Sequence, residues 1–66
     1  MSNFYSCYDF NGIVFGDRVE KISGDYKFAG VVVSCFIKKS AAPRIVVEND
    51  DGILHIFHPK QLKKTI

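Results

Sequence analysis

No stretch of this chain approaches the roughly 20 consecutive apolar residues that span a bilayer, and no charged start leads into a long apolar block of the signal-peptide kind. The expectation is a cytoplasmic chain with no membrane partner. Cysteine is scarce: Cys7 and Cys35 lie far apart with no C-x-x-C or Cys/His ligand spacing, so neither a disulfide framework nor a zinc centre is indicated. Cys35, inside an apolar run, reads as a small buried hydrophobe. Charge of one sign is equally scarce. The formal net charge is +2, and the basic residues are interspersed with Glu20, Asp25, Glu48, Asp50 and Asp51, so total charge does not demand a nucleic-acid partner. Anionic small molecules stay open. Helical periodicity is missing too, since no segment holds three turns of it. Ser23, Ser34 and Ser40 have no nearby His/Asp pattern, and Cys35 sits in a strand-like run rather than at a helix start, so nucleophilic catalysis has no support.

What is present is a compact, globular composition: 66 residues, of which 47% are apolar, 14% aromatic and 24% charged. A chain of this length makes one small domain, and any drug-sized pocket would have to be shared between copies. Residues 1–15, MSNFYSCYDFNGIVF, scatter aromatics among polar residues without a period and are expected to form a flexible N-terminal arm or one edge strand. From Gly16 the pattern changes to short β-type runs. Residues 17–22 alternate polar with apolar, residues 30–37 are apolar and β-branched, and Ala41-Ala42-Pro43 precedes a run over 44–48. Asn49-Asp50-Asp51-Gly52 is the strongest turn signal, and Ile53 to His58 is the returning strand. Pro59 to Leu62 reads as one 3₁₀ turn that folds Leu62 onto the core before a last strand. The fold expected over residues 16–66 is all-β: a small five-stranded SH3-like barrel with a short 3₁₀ turn before its last strand. Two orthogonally packed hairpins are the nearest competitor.

The run ILHIFH, residues 53–58, carries both histidines of the chain. Side chains alternate along a strand, so Leu54, Ile56 and His58 share one face while Ile53, His55 and Phe57 share the other. The two histidines therefore face apart and cannot share an ion within one chain, and no metal site is expected. Both faces are apolar, yet a small barrel needs only one for its core, which points to self-association through the second. With Leu54 and Ile56 filling the core, His55 and Phe57 would lie outside, in the middle of that interface. The blander alternative is that His55 only caps a strand edge.

Gly16-Asp17-Arg18-Val19-x-Lys21-x-Ser23-Gly24, the aromatic Phe28, Gly30 opening the long strand, Val46-Val47-Glu48 and Leu54-His55-Ile56-Phe57 follow one another in the order seen in the type II, trimethoprim-insensitive dihydrofolate reductases. The sequence resembles that family over residues 16 to 66, with one inserted residue near Asp25 to Phe28. The resemblance implies a homotetramer with one central pore that binds NADPH and dihydrofolate, and with it trimethoprim resistance. It places Lys21 at the pore mouth, facing anionic groups of cofactor and substrate, which suits a flexible point charge. It assigns cofactor contacts to Leu54, His55, Ile56 and Phe57, with Ile56 acting through its backbone N–H and C=O. His55, Ile56 and Phe57 would form the surface that holds the two rings for hydride transfer, a reaction driven by proximity rather than by a catalytic proton donor. The family carries glutamine and tyrosine where this chain has His55 and Phe57.

Two other functions compete. The same lysine and aromatic surface would suffice for a non-catalytic oligomer that binds or sequesters a nucleotide-like molecule. Alternatively, Lys38, Lys39, Arg44, Lys60, Lys63 and Lys64 could form the basic surface of a nucleic-acid or protein-binding module. Against that, loop lysines are usually solvated, and no exposed aromatic platform is interleaved with them.

Overall fold

The computed structural model describes residues 10, 12–22 and 24–65. Five antiparallel strands form one sheet: β1 (Arg18–Lys21), β2 (Ala29–Ile37), β3 (Pro43–Glu48), β4 (Leu54–Phe57) and β5 (Leu62–Lys64), in the spatial order β4-β3-β2-β1-β5. A 3₁₀ turn, η1 (Pro59–Gln61), separates β4 from β5, and the described residues contain no α-helix and no helix long and apolar enough to cross a membrane. The expected strands and the 3₁₀ turn are thus present, but the sheet is not closed: β4 and β5 are its two edges.

Alternation explains β1. Val19 is fully buried while Arg18 and Glu20 take the other face, where Glu20 pairs with Lys63 of β5 at 3.2 Å. The β2–β3 ladder slips between Val32 and Ser34, an irregularity that lets Val32 and, three residues on, Cys35 both lie on the inner side, opposite Val47 and Ile45. Gly30 is required where β2 passes the end of β3, because a Cβ there would collide with the backbone of Glu48 and Asn49. The β3–β4 turn is held by Asn49, whose Oδ1 accepts the N–H groups of Asp51 and Ile53, each at 2.9 Å. Its own N–H donates to the Ile53 carbonyl at 3.0 Å, which fixes the register of the hairpin.

That register overturns the expected facing of β4. Directly opposed residues share a face, and β3 turns Ile45 and Val47 inward; their partners are Phe57 and His55. Phe57 is therefore a core residue at 2% exposure, whereas Leu54 and Ile56 are 56% and 59% exposed on the outer face. Only one parity can be inward, and the larger Phe57 ring fills the space over Ile45.

His58, expected as a plain strand end, instead caps η1. Its Nδ1 accepts the Lys60 N–H at 3.0 Å while its own N–H donates to Gln61 Oε1 at 2.8 Å, a reciprocal capping box. The turn delivers Leu62 into the core, as expected, and the Ile22 N–H ties it to β1 by donating to the Gln61 carbonyl at 2.8 Å. Residues such as Val19, Val32, Ile45 and Val47, with no exposed surface, each contribute about 1.5–3 kcal/mol through apolar burial.

Two further expectations change. Of the N-terminal arm proposed for residues 1–15, residues 1–9 and 11 lie outside the described set, but its end is part of the fold: Ile13 is buried at 1% exposure and Phe10 packs beside the core. A tight turn binds this end to the sheet, with Val14 N–H donating to Asp17 Oδ2 and Gly16 N–H donating to the Val32 carbonyl, both at 2.9 Å. Cys35 is half-buried against the core, as its apolar setting suggested, but it is disulfide-bonded rather than a plain thiol.

Candidate functional site

In the connection between β1 and β2, residues 24–28 bring two aromatics at i and i+2 against β4. Phe28 is the inner one. Its ring lies flat on the His55 imidazole, centroids 4.1 Å apart and planes 10° from parallel, and tilts against Phe57 at 5.5 Å. Tyr26 meets the His55 ring edge-on at 5.7 Å, and its hydroxyl stands 3.3 Å from His55 Nδ1, where it donates when that nitrogen carries no proton. His55 thus belongs to an aromatic cluster inside its own subunit, half-buried, with Phe28 covering one ring face.

Lys21, at the end of β1, enters the same cluster from the other side. Its ammonium sits 4.4 Å from the centre of the Tyr26 ring, a cation–π distance, and approaches the Tyr26 carbonyl at 3.5 Å. Gly24 makes this approach possible: with φ at +112°, it leaves room where any Cβ would strike the Lys21 ammonium. Beside this arrangement is an open cleft of about 470 Å³, walled by Glu20, Lys21, Ile22, Tyr26, Lys27 and Phe28. Its volume is within the range of small-molecule sites, about 300–1,000 Å³. Two lysines and two aromatic rings give it the chemistry to hold a planar, anionic molecule.

The predicted site residues fall into two groups. Lys21, His55 and Phe57 come together through Tyr26 and Phe28, while the side chains of Leu54 and Ile56 point to the opposite, outer face. The backbone of Ile56 is differently placed from its side chain. In an antiparallel ladder, mutually bonded pairs recur at every second residue. The Asn49–Ile53 bond makes Val47–His55 and Ile45–Phe57 the bonded pairs, so the N–H and C=O of Leu54 and Ile56 are directed away from β3. Because β4 is the last strand of the sheet, those groups emerge at an edge that no described strand covers.

Tyr26 is not among the residues the sequence pattern singles out. Its signal was present, an aromatic two residues before Phe28 in a loop flanked by Lys21 and Lys27, but an exposed loop tyrosine carries no periodicity to mark it. Among the described residues no group of three or more His, Cys, Asp or Glu side chains is placed to hold a metal. No protein-family model, characterised protein or solved structure matches this chain.

Proposed function

We propose that the chain is the subunit of a symmetric, four-copy reductase that reduces dihydrofolate with NADPH in a pore shared between chains, built on an SH3-like barrel. Support for the barrel comes from the strand order and from the 3₁₀ turn between β4 and β5. The observation that carries the functional reading is the open edge of β4, where the Ile56 N–H and C=O are free of the ladder, the one backbone position the resemblance requires to face ligand. These two groups can bond a carboxamide or a pteridine edge without any side-chain acid. Lys21 and Lys27, which line the cleft, would attract phosphate and carboxylate. NADPH supplies the hydride; the protein holds the rings in register and excludes water.

On this reading the aromatic residues exchange roles. The Phe57 side chain is committed to the core, so it anchors β4 rather than stacking on a ligand, and Tyr26 and Phe28 take over as the aromatic wall beside Lys21. The test is oxidation of NADPH that depends on dihydrofolate, persists with trimethoprim present, and is lost in Lys21→Met. A second reading, binding of a nucleotide-like molecule without reduction, is favoured by one observation: the Phe28 ring already occupies a face of His55. Ligand binding without turnover would select it.

A further inference from the structure

The fold divides the six basic residues that could form a charged surface. Lys63 and Lys64 are neutralised by Glu20 and Asp17, at 3.2 and 3.5 Å. Lys38 and Lys39 form no ion pair among the described residues, and with Arg44 they belong to a stretch, residues 26–47, that contains no Asp or Glu. The β2–β3 hairpin in this stretch outruns its neighbours. β1 pairs with β2 only from Ala29 to Val31 and β4 pairs with β3 only from Ile45 to Glu48, whereas β2 and β3 stay paired out to Ile37 and Pro43. The end of the hairpin is held in shape: the Lys38 N–H donates to the Ala42 carbonyl at 2.8 Å, and the Ala41 N–H donates to the Lys38 carbonyl at 2.7 Å. Ala41 closes the loop at a φ of +71°, a region that side chains disfavour. Residues 36–41 are all exposed, and they begin with two large apolar side chains, Phe36 at 41% and Ile37 at 58% exposure. Successive strand residues face opposite ways, so the end of the hairpin is apolar on both sides and carries lysines at its crown.

We propose that the end of the β2–β3 hairpin docks on an anionic lipid surface, with Lys38 and Lys39 at the level of the headgroups and Ile37 and Phe36 entering the acyl boundary. Charge complementarity selects an acidic partner. The apolar pair selects lipid over nucleic acid, because Ile37 has no π-face to stack on a base and gains only by leaving water. Attachment of this kind draws on apolar burial and on attraction to acidic lipids together, and the hairpin end offers both. It is a surface contact rather than a span, and it replaces the sequence expectation of no membrane partner. Several hairpin ends carried by one oligomer would bind together and gain by avidity. The proposal goes beyond the reductase reading and does not depend on it, since none of these residues walls the cleft.

The test is cosedimentation of the full chain with lipid vesicles. The unaltered protein should bind vesicles of phosphatidylcholine mixed with phosphatidylserine, ignore vesicles of phosphatidylcholine alone, and be released by added salt. The double variant K38Q/K39Q should bind the acidic vesicles roughly tenfold or more weakly, each lysine near such a surface being worth about fivefold. The chain contains no tryptophan, so Ile37→Trp supplies a single reporter whose emission should shift to the blue on acidic vesicles. Circular dichroism on the same samples confirms that each variant is folded. No binding to acidic vesicles, binding indifferent to K38Q/K39Q, or an I37W emission that bound vesicles leave unmoved would overturn the proposal. Tighter binding to an oligonucleotide than to the vesicles would overturn it in favour of nucleic acid, and loss of self-association in K38Q/K39Q without vesicle binding would overturn it in favour of a second copy.

Discussion

His55 and Phe28 lie face to face, 4.1 Å between ring centres and 10° from parallel, and they join the edge strand β4 to the loop that carries the cleft. This one contact links the stability of the sheet to the geometry of the proposed site. It closes the inner side of an otherwise open sheet, and it sets Tyr26 and Lys21 relative to the Ile56 edge.

Replacing His55 by Gln separates those two roles. The stacked ring is lost, which should lower unfolding free energy by about 0.5–1.5 kcal/mol in urea titrations. A flat, hydrogen-bonding amide remains beside Tyr26, and it is the side chain carried at this position by the family the sequence resembles, so reductase turnover should persist. A fully stable H55Q would show that the stack contributes nothing.

Phe57→Tyr tests which way β4 faces. On an outward ring the added hydroxyl would be neutral or helpful to binding. In a core position at 2% exposure it must be desolvated among Ile45 and Phe28 and should cost about 1–3 kcal/mol. Equal urea midpoints for the two proteins would contradict the inward assignment.

These residues also show where the sequence is informative. Strands β1 and β3, the Asn49 turn, η1 and the burial of Leu62 are legible because β-type runs, turn chemistry and a Pro closing a strand are local signals, whereas the His58 cap is not. The facing of β4 is not, since Leu54/Ile56 and His55/Phe57 are both apolar pairs and the choice is made by β3 across the hairpin. The slip in β2 is hidden for the same reason: residues 31–33 are all valine and read alike in either parity. Lys21 and His55 could be singled out from motif order, but the bridge between them, Tyr26, comes from a loop whose path only the tertiary fold defines.

The His58 cap should matter more than its half-exposed position suggests. His58→Ala removes the acceptor for the Lys60 N–H and half of the reciprocal pair with Gln61, at a cost of about 1 kcal/mol. His58→Asn, which restores a side-chain acceptor, should recover most of that loss. Thermal or urea unfolding of the three proteins measures it, and an alanine variant as stable as the parent would remove the cap from the account.

The most direct test of the proposed function is the rate of NADPH oxidation, with and without dihydrofolate, trimethoprim being present throughout. The expected result is a dihydrofolate-dependent rate that trimethoprim leaves intact and that falls at least tenfold in Lys21→Met, a variant whose fold should be retained because Lys21 is outside the buried core. No dihydrofolate-dependent oxidation by the folded, oligomeric protein, or a rate unchanged in Lys21→Met, would contradict it.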